Sequence, residues 1–324
     1  MKNLRIVFMG SPEFAVATLG ALLMNCFNVL AVVTAPDKPA GRGRKITKSA
    51  VKEYAELSCL PIMQPSNLKD PEFINSLKEL NADIFVVVAF RMLPEAVWKL
   101  PAIGTINLHA SLLPDYRGAA PINHAIINGE TKTGLTTFFI DEKIDTGKII
   151  HREEVPIYPF ENAGDLHDRL MKHGARLMIR TLSEIEDNEV LPVDQSAFLS
   201  KGETPKLAPK ITPEFCTVNW DKEASVINNF IRGLSPHPGA RSYLTGKTAN
   251  YSYKIFEGQA EIVQHSFKPG TVISDGKHFL KVACKDGFIG ISTLQLEGKN
   301  KMNIVEFLRG FRIADFAITV TCPE

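Results

Sequence analysis

The sequence predicts an α/β protein: a parallel sheet covered by helices on both faces, followed by a second, smaller β domain. Three observations carry this. Short, continuously apolar runs alternate with helical stretches as far as about residue 188, the pattern of strands buried on both faces. Residues 190–213 then hold Pro192, Pro205, Pro209 and Pro213 without sustained periodicity, which reads as a linker. Beyond it, short alternating segments separated by glycine-containing turns suggest a small β-barrel or sandwich with a helix.

The elements follow in order. Leu4–Met9 is an apolar strand ending in Gly10-Ser11-Pro12. Pro12 suits the first turn of a helix that runs to about Asn25. Val29–Thr34 is a second strand, and a polar loop rich in Gly and Pro fills 35–47. Helices near 47–58 and 71–80 precede a third strand at Ile84–Ala89. Gly104–Leu108 and Leu135–Ile140 are the fourth and fifth strands, and a long helix spans about 162–187. After the linker, a helix at about 222–233 leads into strands near 270–273, 279–284 and 288–296. The expected division is 1–189, a linker at 190–210, and a domain at 211–324.

Composition excludes several classes. Of the 324 residues, 44% are hydrophobic and 23% charged, so the chain has the apolar surface to build a core. Residues 1–200 carry a net charge of −3 and residues 201–324 a net of +4, which permits a polyanionic partner for the second part. The five cysteines form no C-x-x-C pair and their number is odd, which argues against a disulfide framework or zinc site and fits a reducing compartment. Residues 14–36 contain no charge, but their change from Ala and Leu to Val at Asn25 and Asn28 reads as a buried helix then a buried strand, not a membrane span. A cytoplasmic protein is expected. Gly10 is followed by Ser11, Pro12 and Glu13, so the G-x-G-x-x-G fingerprint is missing, as is any Walker A sequence; NAD and NTP chemistry are disfavoured.

Chemistry concentrates in 104–121, GTINLHASLLPDYRGAAP. Asn107 and His109 alternate with Leu108, so they share one face at the end of a strand, where α/β enzymes place their ligands. The alternative is a capping Asn beside a hydrogen-bonded core His. Asp145 lies 36 residues after His109, in a turn just past the fifth strand. A carboxylate there can orient an imidazole and favour its charged form; the alternative is a turn Asp serving its own backbone. The stretch 38–52 carries Lys38, Arg42, Arg44, Lys45, Lys48 and Lys52 with no acid among them, which suits a nucleic-acid backbone or is simply a solvated loop.

These motifs match a known family. GSPEFA at 10–15, PDKPAGRGRK at 36–45, NLHASLLPDYRGAAP at 107–121 and IDTGKI at 144–149 resemble, essentially end to end, the methionyl-tRNA formyltransferases. The resemblance implies a Rossmann-like formyltransferase domain, a linker, and an OB-like C-terminal barrel that touches tRNA. It implies 10-formyltetrahydrofolate as formyl donor and initiator methionyl-tRNA as acceptor. The sequence offers no clustered metal ligands and no surface-like apolar repeat, so no metal and a monomer are expected. Residue by residue, the resemblance places Asn107, His109 and Asp145 on the catalytic positions. Ser111, Leu112, Leu113 and Pro114 fall on the folate-binding segment, with Phe90, Met92 and Leu93 on the pocket wall. Arg42, with Lys38, Arg44 and Lys45, falls in the loop at the acceptor end of the tRNA, and Lys206 and Lys210 extend the basic surface. Phe90-Arg91 stands where the family usually has an aromatic-glycine pair, and His237-Pro238-Gly239 where a Trp-Pro pair is often seen.

The reaction asks for groups of this kind. An amine attacks a formamide-like carbon and negative charge grows on the carbonyl oxygen. Donors aimed at that oxygen are typically worth ~3–4 kcal/mol each. Asn107 can donate, His109 can in its protonated form, and Asp145 can take the amine's proton. Two alternatives stay open at this level: a formyltransferase acting on a small amine, and a catalytically dead RNA-binding protein.

Overall fold

The computed structural model describes residues 3–40, 45–200, 202–246, 250–311 and 316–319, with the backbone alone at 39–40, 45, 246 and 316–319. Its elements, in order, begin with β1 (Arg5–Gly10), α1 (Glu13–Met24) and β2 (Asn28–Val33). The uncharged stretch 14–36 is therefore a helix and a strand. α1 starts directly after Pro12, ends at Asn25, and buries Phe14, Leu19 and Leu22. Among the described residues no helix is long and apolar enough to cross a membrane. Next come β3 (Lys38–Ala40), β4 (Lys45–Thr47), α2 (Ala50–Leu57), β5 (Ile62–Met63), α3 (Pro71–Glu79), β6 (Ile84–Val88), α4 (Glu95–Trp98) and β7 (Gly104–His109). α5 (Pro121–Ile127), β8 (Lys132–Phe139), β9 (Ile149–Pro156) and α6 (Ala163–Glu186) complete the first part of the chain.

The main sheet has the order β5-β2-β1-β6-β7-β8-β9. Parallel pairing runs from β5 through β2, β1 and β6 to β7. The fifth expected strand, β8, departs from this: it pairs antiparallel with β7, with His109 opposite Thr136 and Ile106 opposite Phe139. The order reverses between β1 and β6, and Gly10, Val88 and Leu108 lie in one register row. The carboxyl ends of β1, β6 and β7 thus form a single rim at the crevice where such sheets bind ligands. The core beneath it includes Val7, Met9, Val33, Phe85, Val87 and Leu93.

Later elements are α7 (Ala224–Leu234), β10 (Ala240–Gly246), β11 (Asn250–Ile262), β12 (Val272–Ser274), β13 (Leu280–Ala283), β14 (Gly287–Leu296), β15 (Met302–Asn303), α8 (Ile304–Gly310) and β16 (Phe316–Thr319). The antiparallel ladder runs β12-β13-β14-β11-β10-β16, with β15 on β14, giving a barrel-like second domain. The sequence does not announce β10 and the long β11, because β10 buries a polar residue, Ser242, and β11 buries two neighbours, Ile255 and Phe256, which breaks the alternation. The core of this domain gathers Trp220, Ile227, Ile231, Tyr253, Ile255, Val282, Ile289 and Phe307.

Contacts divide the chain into two compact units that interleave along it: 1–118, 133–156 and 167–207 in one; 119–132, 157–166 and 208–324 in the other. In the first unit, residues 190–207, expected as a linker, are tied down. Ile149 and Val193 exchange both backbone hydrogen bonds, at 2.8 Å each, and the Tyr116 N–H donates to the Lys206 carbonyl at 2.6 Å. In the second unit, α5 is held by Asn123 donating to the Gly233 carbonyl at 2.7 Å and by His124 on the Pro209 carbonyl at 2.9 Å.

Candidate active site

β7 delivers Asn107 and His109 to the rim. Leu108 points away: a Cβ on Gly174 of α6 would fall 2.7 Å from its Cδ2. Alternation therefore sets both polar side chains on the opposite face. Asn107 is half-buried, and among the described residues its amide has no partner. His109 is 6% exposed, and its Nε2 lies 2.9 Å from the Tyr116 carbonyl oxygen. A carbonyl only accepts, so Nε2 carries the hydrogen and fixes the ring. Nδ1 faces Asp145 Oδ2 across 3.7 Å. That is too long for a direct hydrogen bond, and an oxygen within reach of both groups can bridge them.

Asp145 arrives by a route the sequence did not suggest. Because β8 is antiparallel, its end lies beside Thr105, where the Ile140 N–H donates to the Thr105 carbonyl at 2.8 Å. The turn 141–148 folds back to bring the carboxylate to His109. Gly147 is required in that turn, since a Cβ there would sit 1.7 Å from the Phe139 carbonyl oxygen. Asp145 Oδ2 accepts from the Gly118 N–H at 2.9 Å. Tyr116 (φ +62), Gly118 (φ +124) and Asp145 (φ +56) all have left-handed backbones, and strain of this kind gathers where geometry is imposed.

The remaining expected residues lie as follows. Ser111 is fully buried and donates to the Asp115 carbonyl at 2.6 Å. The Leu113 N–H donates to the Thr136 hydroxyl at 3.1 Å, and that hydroxyl donates to the Ser111 carbonyl at 2.7 Å. Leu112 packs at Gly134. Leu113 joins Phe138 and Ile149 in a small cluster, and Pro114 follows it through a cis peptide and is buried. Met92 is 70% exposed, whereas Leu93 is part of the core with Phe90 packed on it. Arg91 donates to the Pro65 carbonyl at 2.8 Å and stacks on Phe90; burial lowers its pKa.

Arg42 and Arg44 lie outside the described residues. Lys38 is exposed at the start of β3, which pairs with β4, the strand that begins at Lys45. Among the described side chains of this stretch, Lys52 is paired with Asp37 at 2.6 Å and Lys48 with Glu56 at 2.7 Å. Lys206 is exposed in the first unit, its Nζ 5.8 Å from the Tyr116 ring centroid, and Lys210 is exposed in the second.

Sequence reasoning missed Tyr116, Gly118, Thr136 and Gln195. Tyr116 and Gly118 act through main-chain atoms, and Gln195 lies in an aperiodic stretch. No group of three or more His, Cys, Asp or Glu side chains among the described residues is placed to hold a metal ion.

A largely parallel sheet with polar side chains at the carboxyl end of a central strand marks a ligand-binding α/β protein, and comparison with known proteins gives the class. Residues 4–182 match the family described as formyl transferase, and residues 210–312 match the formyl transferase C-terminal domain. Among solved structures, an N-formyltransferase from Helicobacter canadensis in complex with folinic acid and dTDP-3-aminofucose aligns with a TM-score of 0.63 at 21% identity, covering 93% of this chain and 100% of that one. HypX from Aquifex aeolicus, in complex with tetrahydrofolic acid, gives 0.63 at 18% identity, covering 97% of this chain and 50% of that one. Both likenesses show the fold. The methionyl-tRNA formyltransferase of Flavobacterium johnsoniae is 53% identical over 98% of this chain and 99% of its own; that of Bacteroides thetaiotaomicron is 49% identical over 97% and 98%. The chain belongs to the methionyl-tRNA formyltransferase family.

Proposed function

We infer that the protein transfers the formyl group of 10-formyltetrahydrofolate to the α-amine of methionyl-tRNA. Family membership gives the reaction. The observation that carries the site assignment is the rim of β7, where the Asn107 amide, without a partner among the described residues, lies two residues from a His109 ring aimed at Asp145. An N-formyl group needs such a donor beside it, so the residues present suit the folate substrate. The bound folate supplies the formyl carbon as an activated amide.

Asn107 donates N–H to the carbonyl oxygen as negative charge collects there. His109 has Nε2 committed to Tyr116, so Nδ1 is the nitrogen that gives and takes a proton. Asp145 accepts the proton that the attacking amine loses, directly or through a water shared with Nδ1. The new carbon–nitrogen bond forms to the amine, the bond to the folate nitrogen breaks, and that nitrogen gains a proton. In this reading Leu112, Phe90 and Met92 offer the folate-binding surface, and Ser111, Leu113, Pro114 and Leu93, buried behind it, hold its shape. Arg42, Lys38, Arg44, Lys45, Lys206 and Lys210 contact tRNA. The barrel-like domain is an OB-type fold, the acceptor is the initiator tRNA, and the enzyme works as a monomer in the cytoplasm.

The test is formyl transfer from 10-formyltetrahydrofolate to methionyl-tRNA, run beside small amines and water as acceptors. Methionyl-tRNA is expected to be formylated fastest by a wide margin. Preference for a small amine or for water replaces the acceptor assignment.

A further inference from the structure

We propose that Gln195 is a positioning residue for the transfer, a brace that sets the carboxylate of Asp145 opposite His109. The inference rests on reading those two residues as the reacting pair. Gln195 is 3% exposed and uses its whole amide. Nε2 donates to the Asp145 carbonyl and to the Gly147 carbonyl, at 2.9 Å each. Oε1 accepts from Arg117 Nε at 3.1 Å and Nη2 at 2.6 Å. Both amide hydrogens are spent on one loop and the oxygen on the other.

The two loops are the ones that face each other across the site. Arg117 sits between Tyr116, whose carbonyl holds His109 Nε2, and Gly118, whose N–H holds Asp145 Oδ2. Asp145 and Tyr116 both have left-handed backbones, a conformation that persists only when its surroundings impose it. Gln195 ties both strained segments together from one side. Its own segment is anchored by the paired bonds between Val193 and Ile149 before it and by a bridge between Leu207 and Arg117 after it. The side chain touches no reacting atom in this arrangement; it acts through Asp145 and the 116–118 loop. Asparagine is one methylene too short to span the same groups.

The experiment compares Gln195→Glu and Gln195→Met with Asp145→Asn and with the double variant Gln195→Glu/Asp145→Asn. Gln195→Glu keeps shape and the Arg117 contact but turns the donor to the two carbonyls into an oxygen. Gln195→Met keeps length and removes all four bonds, and it carries the test where the glutamate fails to fold. In each, kcat is expected to fall about 10²-fold while KM for folate and for tRNA stays within about twofold, the signature of misplaced chemistry. The double variant falls no further than Asp145→Asn, because both act on one group. In the substrate-free protein, hydrogen exchange at the Gly118 amide quickens about tenfold, while β1, β6 and β7 keep their protection. Unchanged kcat, a loss carried by KM, or an additive double variant overturns the brace. Inactive Asp145→Asn beside fully active Gln195 variants removes the brace alone. Fully active Asp145→Asn removes the reading of the reacting pair, and the brace with it.

Discussion

The imidazole of His109 gives its Nε2 hydrogen to the Tyr116 carbonyl, while the amide of Asn107 has no partner among the described residues. The two truncations therefore differ in a predictable way. If Asn107 is the donor proposed above, Asn107→Ala removes a group needed only when charge develops, so kcat is expected to fall about 10²–10³-fold, with stability within about 0.5 kcal/mol of wild type. His109→Ala also lowers kcat severely, and it strips a partner from a buried carbonyl, adding about 1–3 kcal/mol of destabilisation. Steady-state kinetics and denaturant melts of both variants check the pair. Near wild-type kcat in either removes that residue's assignment. The placement of the two side chains on one face at a strand end was legible in the sequence, because a strand's alternation and a strand-end position are written in residue order. Tyr116 and Gly118 were not, because they hold His109 and Asp145 by a main-chain carbonyl and a main-chain N–H, groups that residue identity does not announce.

The β3–β4 ribbon shows what changes between a run of cations and a folded element. Six basic residues read as one attractive loop, but Lys52 is bound to Asp37, which also accepts from Gln64 at 2.8 Å, and Lys48 is bound to Glu56. Asp37 directly precedes β3, so this network fixes the base of the ribbon. Hydrogen bonds from Lys52 first, then Gln64, hold the Asp37 carboxyl below its ordinary range. A lowered carboxylate stabilises where it is ionised, so the anchoring is present above about pH 4 and is lost as pH falls through the lowered value. Asp37→Asn is expected to raise KM for tRNA several-fold with little change in folate affinity. Arg42→Ala is expected to leave folate binding alone and to lower the salt slope of tRNA binding by about one unit. An unchanged slope and unchanged formylation in Arg42→Ala make the ribbon a solvated one. The direction of β8 was likewise illegible: an apolar run looks the same parallel or antiparallel. Asp145 reaches His109 only because its loop doubles back.

A single cut in the chain does not separate the two compact units. The sequence alone suggests that a fragment ending near Asn188 folds and binds folate. Contacts argue otherwise. That cut deletes 190–207 from the first unit: Gln195 with its bonds to Asp145, Gly147 and Arg117, the Val193 bridge to Ile149, and the Lys206 carbonyl that accepts from Tyr116. It also strands 119–132 and 157–166, which belong to the second unit. Asn123 loses the Gly233 carbonyl and Ala120 loses that of Ala208. The carbonyls of Tyr158 and Glu161 lose Arg232, which donates to the latter at 2.7 Å. Each buried group left without its partner costs about 1–3 kcal/mol, against a total stability of only ~5–15 kcal/mol. The fragment 1–188 is therefore expected to expose apolar surface, to lose a cooperative thermal transition, and to bind folate far more weakly than the full chain. Circular-dichroism melts and folate titration of the fragment beside the intact protein decide it. A fragment that melts cooperatively and binds folate as the full chain does makes the 190–207 segment dispensable to the site, and shows that 119–132 and 157–166 need no part of 208–324 to hold their shape.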